Sequence, residues 1–414
     1  MGRNRPKGGL LGGSDILRTP DAPTVSGTAG ADSIDVVFTD PSDTGGGSIT
    51  SRTASATDSG GTTTTATGTG TTVTISSLST GSFTVGGFVT NNFGNSVASD
   101  TVSVEIFFDR AIYMGGYSQS SYDTRIDYIT IASTGNAANF GTCTACSALN
   151  GGIASSTRGV FGEDTSYQKD YQYITFASTG NAANFGDLIN RNTEYPGNWG
   201  GNYLPAFFSG GGTRGITYGG YGEVSGSTTY RNWIEYITIA STGNGTDFGD
   251  AVLAAYVRTG FASYTRGVCG GGEASSRTDA IDYITIASTG NGTDFGDLSA
   301  SRNYIGSASS STRGIFAGGY EGSNVNTIEY VTIASTGNAT DFGDLLGTRR
   351  QTGGASSNVR AVFGGGTGSR GTWEDEIDYV TIASTGNASD FGDLRNGKYG
   401  AGSASSNHGG LINA

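Results

Sequence analysis

The sequence is poor in the residues that most often carry chemistry. Its 414 residues include one histidine, three cysteines, three tryptophans and six prolines, and only 14% of the residues are charged. The low charge excludes the class of charged disordered chains, and the scarcity of proline excludes a collagen-like fibre. What the sequence has in quantity is glycine, with 72 residues. The composition therefore favours a folded chain with many turns.

Basic charge is scarce as well. The net charge is −13, and Arg3, Arg5 and Lys7 form the one basic cluster. Phosphate binding needs clustered lysine and arginine, so we expect no nucleic-acid partner. No apolar run approaches the roughly 20 residues that cross a bilayer, and the first thirty residues lack the apolar core of a secretory signal. We therefore expect no membrane insertion.

The cysteines form no recognisable ligand set. Cys143 and Cys146 are separated by two residues, but a zinc site needs two further ligands, which Cys269 and His408 supply poorly. We predict no metal and no cofactor. Sheet packing, rather than disulfide bonds, is expected to supply the stability.

One sixteen-residue phrase dominates the rest of the chain. It runs from Ile126 to Gly141 and returns, nearly unchanged, from Tyr171, Ile234, Ile281, Ile328 and Ile377. The spacings are 45, 63, 47, 47 and 49 residues. Repetition at this period is typical of solenoids and propellers, whose small units cannot bury their apolar surface alone.

The sequence of each repeat predicts four short strands. The phrase opens with a β-branched and aromatic run, such as Ile328 to Ala334, and its Phe-Gly-Asp part forms a further short run. A single arginine at the start and, in most repeats, Gly-Gly at the end mark the run before the phrase, as in Arg313 to Gly319. A small-residue run such as Ser307 to Ser310 comes before that. Both faces of the phrase carry apolar residues, which favours sheets stacked face to face. Four strands per repeat is the number in a propeller blade.

These features resemble kelch-type repeats over roughly residues 110 to 414. The resemblance rests on Gly-Gly at the end of one strand, Tyr in the next, and then Thr-Gly-Asn followed by an aromatic residue. Phenylalanine stands where kelch repeats usually have tryptophan, at Phe140, Phe185, Phe248, Phe295, Phe342 and Phe391. The wording Tyr-Ile-Thr-Ile-Ala-Ser-Thr-Gly-Asn is also similar to repeats in virion proteins of marine bacteriophages.

A different segment precedes the repeats. Residues 21–107 resemble a bacterial fibronectin type III domain, through the Gly-rich bend at Pro41 to Thr50 and the stretch from Phe83 to Ser96, which ends in Val-x-Asn-x-x-Gly-x-Ser. The core tryptophan of that family is absent, and Phe38 is the candidate to replace it. The expected fold is all-β: an extended arm over residues 1–20, an immunoglobulin/fibronectin-like sandwich over 21–107, and a six-bladed kelch-like β-propeller over 108–414.

The two ends of the repeat region predict how the ring closes. The first repeat has no small-residue strand before Arg110, and the C-terminus supplies one at Tyr399 to Ser406. We therefore expect the C-terminal segment to pair with the first blade and remove its exposed edge. Residues 408–414 resemble a decayed seventh Gly-Gly strand.

The repeats vary at one end only. In an antiparallel four-stranded blade, the loops between strands one and two and between strands three and four lie at one end, and here they are nearly invariant. The loops at the other end differ in length and content, and they carry the aromatic residues that are the candidate ligand-binding set: Tyr122, Tyr167, Tyr195, Trp199, Tyr230, Trp233 and Trp373. Aromatic residues on variable loops of a rigid scaffold are typical of recognition surfaces. The alternative is that these rings pack against their own loops.

Other motifs have simpler interpretations. Four Asn-x-Ser/Thr triplets begin at Asn244, Asn291, Asn338 and Asn387, and an Asx turn fits these asparagines and their counterparts in the first two repeats. Glycosylation would require a secretory host, and calcium binding would require more converging oxygens than one turn offers. One histidine is too few for a kelch-like copper oxidase, and sialidase boxes are absent. We expect no catalytic activity.

The sequence thus predicts a non-enzymatic structural and display protein of a bacteriophage virion: a tail fibre, another tail component or a capsid decoration. The expected partners are other virion subunits, bound through the arm and the sandwich in a homo-oligomer or multi-copy assembly, and a glycan or protein of the host surface. The alternatives are a secreted or cell-surface glycan-binding adhesin and a purely architectural subunit of a ring or lattice.

Overall fold

The structure is a computed structural model. It describes residues 17–30, 33–79, 81–106, 109–118, 121–144, 146, 148, 151–162, 170–187, 206–224, 227–368 and 371–411. The fold is nearly all-β, with 54% strand and 1% helix. Two compact units divide the chain, Met1–Phe107 and Phe108–Ala414.

The first unit consists of two antiparallel sheets around one core. One sheet contains the strands Thr24–Ala29, Ile34–Thr39 and Thr72–Ile75. The other contains Thr63–Gly68, Ser51–Asp58, Gly81–Asn91, Gly94–Asn95 and Val102–Ile106. Alternate residues of Ile34–Thr39 are buried, as expected for a strand with one wetted face. Phe38 is buried in this core, packed against the backbone at Gly87, whose hydrogen leaves room for the ring.

The described part of the second unit contains six four-stranded antiparallel sheets, numbered here in chain order and given from the first strand to the fourth. Sheet 1 contains Gly402–Ser405, Arg110–Met114, Arg125–Thr130 and Ala138–Thr142; sheet 2 contains Gly152–Ala154, Arg158–Gly162, Asp170–Thr175 and Ala183–Asp187; sheet 3 contains Ala206–Gly210, Arg214–Val224, Ser227–Thr238 and Thr246–Asp250. Sheet 4 contains Thr259–Ala262, Arg266–Gly270, Ala280–Thr285 and Thr293–Asp297; sheet 5 contains Gly306–Ser309, Arg313–Ala317, Thr327–Thr332 and Thr340–Asp344; sheet 6 contains Gly353–Ser356, Arg360–Gly364, Glu376–Thr381 and Ser389–Asp393.

Short elements complete the second unit. Two-residue strands pair as Tyr117–Ser118 with Ser121–Tyr122, and as Arg349–Arg350 with Thr367–Gly368. A single 3₁₀ turn occupies Gly409–Leu411 in the described part of the chain. Residues 408–411 therefore do not form the decayed Gly-Gly strand that the sequence suggested.

The first strands of the six sheets contact one another in a closed ring around a central channel. Sheet 1 closes the ring, because its first strand comes from the C-terminus: Gly402 pairs with Met114 and Ser405 with Ala111. This pairing confirms the closure that the sequence predicted for the C-terminal segment. Small residues are required at the channel, since a Cβ added to Gly354 would lie 2.2 Å from Ser307 O of the neighbouring sheet.

An arginine joins each sheet to the next. Arg313, at the start of the second strand of sheet 5, lies over the ring of Tyr330 at 4.3 Å and donates to Ile382 O of sheet 6 at 2.9 Å. The last joint closes the circle, because Arg360 of sheet 6 donates to the carbonyls of Ile131 and Ala132 in sheet 1. The same stacking and bonding recur at Arg110, Arg158, Arg214 and Arg266.

The Thr-Gly-Asn turn supplies a second joint. Asn387 Oδ1 of sheet 6 accepts from the backbone N–H of Asp344, the last residue of the fourth strand in sheet 5, at 3.1 Å. Gly386 N donates to Phe342 O of the same strand at 2.7 Å. Equivalent asparagine bonds are made by Asn136, Asn181, Asn244, Asn291 and Asn338. The amide oxygen thus bonds the neighbouring repeat, where the sequence had suggested an Asx turn within its own loop.

The sequence predicts no disulfide bond, and this part of the expectation about stability is wrong. Cys143 and Cys146 form a disulfide with a Cα–Cα separation of 6.1 Å, so the chain is not free of disulfides. Two intervening residues allow a tight loop to bring the two sulfurs together. Such a short loop removes little entropy from the unfolded chain, so sheet packing still supplies most of the stability.

Replacing Arg313 with methionine should weaken one joint while keeping the length of the side chain. The variant loses a charge-assisted hydrogen bond and a cation–π contact, so we expect the free energy of unfolding to fall by about 2 kcal/mol. Urea unfolding followed by tryptophan fluorescence reports the second unit, because all three tryptophans lie beyond residue 107. Arg313→Lys should lower the free energy of unfolding by an intermediate amount. A methionine variant as stable as the wild type would show that Arg313 does not stabilise the contact between sheets 5 and 6.

Deleting residues 399–414 should expose the edge of Arg110–Met114 and promote aggregation, because an unpaired strand edge is a template for other chains. Size-exclusion chromatography measures the outcome. A chain that ends at Leu411 keeps the closing strand and is the matched control. A monomeric, soluble deletion variant would show that the closing strand is dispensable.

Candidate functional site

The aromatic residues predicted for recognition lie partly outside the described residues. Tyr167, Tyr195 and Trp199 do so, as does most of the segment around them. Tyr122, Tyr230, Trp233 and Trp373 are described, and they lie at the end of the ring where second strands lead to third strands and fourth strands lead to the next sheet. This end is called the variable end below, and the opposite end the constant end.

One aromatic cluster joins sheet 6 to sheet 1 at the variable end. Tyr117 is at its centre, with the rings of Tyr122, Trp373 and Tyr399 centred 5.6, 5.7 and 5.6 Å away. Tyr122 is 53% exposed, and the other three rings are half-buried. We call these four residues the first aromatic cluster. It brings two of the predicted residues together and adds Tyr117 and Tyr399, which the sequence did not single out.

A second cluster lies between sheets 3 and 4 at the same end. Tyr221, Tyr230 and Tyr256 are mutually in contact, with ring centroids 5.4 to 5.8 Å apart, and all three are half-buried. We call these three residues the second aromatic cluster. Burial and the nearby Glu273 raise the pKa of Tyr256 to about 12, so its hydroxyl is protonated at neutral pH and can donate a hydrogen bond.

Trp233 belongs to neither cluster. The second and third strands of sheet 3 extend as one long hairpin, in which Tyr221 pairs with Tyr230, so the loop predicted over residues 221–233 is mostly strand. Trp233 pairs with Asp250, and Arg231 lies over its ring at 4.7 Å. The contacts of Trp233 are therefore packing contacts within sheet 3.

Cation–aromatic contacts link the loops of sheets 4, 5 and 6 at the variable end. Arg350 lies over Tyr320 at 4.8 Å and over Tyr304 at 5.9 Å, and Arg277 lies over the same Tyr320 at 5.3 Å. Such contacts hold the loops of neighbouring sheets against one another. The variable end therefore has a fixed surface along these sheets.

Buried ion pairs hold the chain segments that cross from one sheet to the next. Arg258 bonds Asp282 in sheet 4, at 2.6 Å, and Arg349 bonds Asp378 in sheet 6, at 2.7 Å. The matching pairs are Arg302 with Glu329 in sheet 5 and Lys398 with Asp127 in sheet 1. Each acid is the second residue of its copy of the repeated phrase. Removing one partner would leave a buried charge, which typically costs about 3–5 kcal/mol.

The sequence carries a signal for these pairs. The second residue of the phrase is acidic in five repeats, and a basic residue lies just before the first strand in sheets 4, 5, 6 and 1. In sheet 2 the matching residue is Gln172, which bonds Thr144 through both of its amide atoms. The base precedes the acid by 24 to 29 residues in sheets 4 to 6 and follows it by 271 residues in sheet 1, so only the fold brings each pair together.

The central channel is a pit with a closed floor. It encloses about 170 Å³ and is lined by the first strands of the sheets. His408 lies at the constant end, with Nε2 3.1 Å from both Ala154 O and Ser209 Oγ. Gly409 and Gly410 cross the ends of two first strands so closely that added Cβ atoms would lie 1.9 Å from Ser310 O and Ser209 O. The C-terminal tail thus covers the constant end of the channel.

The contacts of His408 determine which of its ring nitrogens carries the proton. Gly410 N donates to Nδ1 at 3.1 Å, so Nδ1 is an acceptor and Nε2 carries the hydrogen that points to Ala154 O. Burial lowers the pKa of His408 to about 4. The floor of the pit is therefore neutral at physiological pH.

The chemical inventory of the described residues is limited. They contain no helix long and apolar enough to span a membrane. In the same residues, no three histidine, cysteine, aspartate or glutamate side chains are grouped so that they could hold a metal ion. Burial raises the pKa of the Cys269 thiol to about 12, which makes this cysteine a poor nucleophile.

His408 should make the protein less stable in mild acid. The unfolded chain binds a proton near pH 6.5, whereas the folded chain binds it near pH 4, so stability is lost as the pH falls from 6.5 to 4. The expected contribution is about 3 kcal/mol over this window. Urea midpoints measured at each pH for the wild type and for His408→Gln give the test, and equal slopes for the two proteins would contradict the buried neutral histidine.

Comparison with known proteins adds support for the fold. No protein-family model and no curated protein matches the chain, but solved structures do. One of them, titled "Structure of YjhT", is a kelch/β-propeller-like protein; the match covers 62% of this chain and 87% of that chain, with a TM-score of 0.50 and 10% sequence identity. At this identity the likeness concerns the fold alone, and the second unit of this chain is similar to a β-propeller.

Proposed function

We propose that this chain is a non-enzymatic structural protein of a bacteriophage virion, in which a six-bladed kelch-like propeller displays a recognition surface. The six four-stranded sheets closed into a ring, together with the likeness to YjhT, support the propeller. The two-sheet core of residues up to 107 supports a fibronectin-like sandwich before it. The assignment to a virion tail or capsid rests on the similarity of the repeated phrase to phage virion repeats.

The observation that carries the display function is the contrast between the two ends of the ring. The constant end is occupied by the asparagine turns, the arginine joints and the C-terminal tail, all of which bond neighbouring sheets. The variable end carries both aromatic clusters, each formed by loops of two adjacent sheets. The repeated residues are thus explained by assembly of the ring, and the varied residues are free for recognition.

The clusters suit a glycan of the host surface. Tyrosine and tryptophan present flat apolar faces with a polar edge, which stack on sugar rings at little entropic cost. The four rings of the first cluster are uncharged, and the charged residues next to them carry both signs: Asp123, Glu374 and Lys398, of which Lys398 and Asp123 pair with each other. A neutral or weakly charged polysaccharide is therefore the class of ligand that fits this surface best.

A non-enzymatic role agrees with the chemistry that is present. The one histidine of the chain is half-buried and holds the tail in place, and four buried carboxylates of the ring, such as those of Asp282 and Asp378, are committed to ion pairs. The remaining candidate partners are other virion subunits. The arm over residues 1–20, which carries Arg3, Arg5 and Lys7, has the charge to dock on an acidic neighbour, and a multi-copy assembly would present many propellers at once.

Substitution of the clustered rings should abolish adsorption without affecting folding. Truncating an aromatic anchor at the centre of an interface typically costs about 2 kcal/mol or more, so Trp373→Ala and Tyr122→Ala, alone and together, should weaken binding at least tenfold. Tyr230→Ala tests the second cluster. Binding is measured on arrays of bacterial surface polysaccharides and on intact bacteria, with thermal unfolding as the check on folding.

Tyr264→Ala is the matched control, because Tyr264 is a half-buried tyrosine in a turn at the constant end. It should bind like the wild type. If the wild-type chain binds no glycan or cell, and electron microscopy of a particle places the variable end against other subunits, the architectural alternative replaces display. Binding to glycans by a protein that is never recovered with particles would favour the adhesin.

A further inference from the structure

Two arginines from different sheets converge on one tyrosine at the variable end. Tyr320, in the loop that follows the second strand of sheet 5, has Arg350 over its ring at 4.8 Å and Arg277 at 5.3 Å. Arg277 belongs to the corresponding loop of sheet 4, and Arg350 lies three residues before the first strand of sheet 6. All three residues are half-buried. The contacts therefore hold two positive charges close together at the surface.

Neither arginine has a polar partner for its side chain. The guanidinium groups of Arg277 and Arg350 form no hydrogen bond and no ion pair with any residue that the structure describes. By contrast, the arginines that join neighbouring sheets donate to carbonyls, as Arg313 does, and those of the buried ion pairs bond carboxylates, as Arg258 does. Stacking on a ring occupies the face of a guanidinium group and leaves the N–H groups at its edge to donate. Both arginines thus have donors to offer to a ligand.

The acidic residues of the same loops bond other groups. Glu273 Oε2 accepts from Asn303 Nδ2 at 2.6 Å, and the carboxylate of Glu321 lies 3.7 Å from Nε of the buried Arg302. Neither acid forms an ion pair with the two arginines that contact Tyr320. Their negative charge nevertheless lowers the positive potential around those arginines, so the site suits a ligand group with one negative charge better than a group with two.

Side-chain bonds fix the loops that carry these residues. The bond between Glu273 and Asn303 joins the loop of sheet 4 to sheet 5. Asn324 Nδ2 donates to Thr367 O at 2.8 Å and joins the loop of sheet 5 to that of sheet 6. Because the loops and the stacked guanidinium groups are held in place before a ligand arrives, binding loses little conformational entropy.

The two arginines lie between the two aromatic clusters in the order of the ring. The second aromatic cluster joins sheets 3 and 4, and the first joins sheets 6 and 1. Tyr304, just before the first strand of sheet 5, interacts with both sides: burial raises its pKa, as do Glu273 of sheet 4 and Tyr399 of the first cluster, whereas Arg350 lowers it. A chain-like ligand that follows the sheets from 3 to 1 would therefore meet aromatic rings first and last and the arginines in between.

From this arrangement we infer that Arg277 and Arg350 bind the carboxylate of one hexuronate unit in a polysaccharide whose neighbouring neutral sugars stack on the aromatic clusters. Two guanidinium groups can donate to the two oxygens of one carboxylate, and such charge-assisted hydrogen bonds are stronger than neutral ones. The carboxylate also offsets the repulsion between the two positive charges. The inference rests on the proposed function and deepens it, because it names the acidic unit that the glycan should contain.

The test uses the full chain and an array of bacterial polysaccharides that contain hexuronate, each spotted before and after chemical reduction of its carboxylates to hydroxymethyl groups. Reduction keeps the sugar chain and removes the charge. The wild type should bind at least one native polysaccharide tenfold or more tightly than its reduced form. Added salt should weaken binding to the native form and leave binding to the reduced form unchanged, because salt screens exposed charges.

A variant that combines Arg277→Gln with Arg350→Gln should bind the native polysaccharide only as well as its reduced form. Arg350→Lys keeps the charge without the planar fork and should keep part of the preference. Arg18→Gln is the matched control, because it removes the charge of an exposed arginine in the first unit, and it should bind like the wild type. Thermal unfolding checks each variant, and the comparison of native with reduced polysaccharide needs no variant at all.

Three results would overturn the inference alone: equal binding of native and reduced polysaccharides by the wild type, a preference that survives in a folded double variant, or tighter binding of sulfated or phosphorylated polysaccharides than of those with hexuronate. Binding of the reduced forms that is lost in Trp373→Ala would then still support the aromatic surface. If the wild type binds no polysaccharide in either form, this inference and the proposed recognition of glycans fail together.

Discussion

An arginine stacked on a tyrosine and bonded to the carbonyl of the next sheet is the contact on which the ring depends. It occurs six times, and the copy at Arg360 reaches back to sheet 1. In a chain of repeats each unit contacts only its neighbours, so stability is a sum of unit and interface contributions. Closing the ring adds one interface between sheets for the same number of sheets. No sheet at the end of the array is then left with one face exposed.

The near-identity of the six phrases follows from this geometry. Each phrase supplies the tyrosine that is stacked, the carbonyl that accepts from the previous arginine, and the asparagine that receives a backbone N–H. A change in any of these alters two sheets at once. Loops at the variable end do not carry these repeated contacts between sheets. Buried ion pairs such as Arg349 with Asp378 fix the chain segments beneath the loops. Sequence variation is therefore confined to the end where it leaves the ring intact.

The repeats and the pairing of the C-terminal strand could be predicted because strand periodicity and turn residues are local features of the sequence. Contacts between repeats could not. Tyr117, Tyr399 and Tyr256 have no special sequence context and become part of clusters only because loops of adjacent sheets meet. The disulfide of Cys143 with Cys146 depends on the shape of one loop. The role of His408 is set by a channel that exists only after the ring has closed, so no local pattern in the sequence predicts it.

Sheet 1 is the one sheet assembled from both ends of the repeat region, since its first strand, Gly402–Ser405, lies almost 300 residues after its partner Arg110–Met114. During synthesis the second, third and fourth strands of this sheet emerge first, and their inner edge must wait until nearly the whole chain has left the ribosome. Sheets 2 to 6 can form in order, each from contiguous residues, while that edge stays unpaired. Closure is thus a late, long-range event in folding, of the kind that is intrinsically slow. The waiting strand Arg110–Met114 is the part of the nascent chain most in need of protection from pairing with a neighbour.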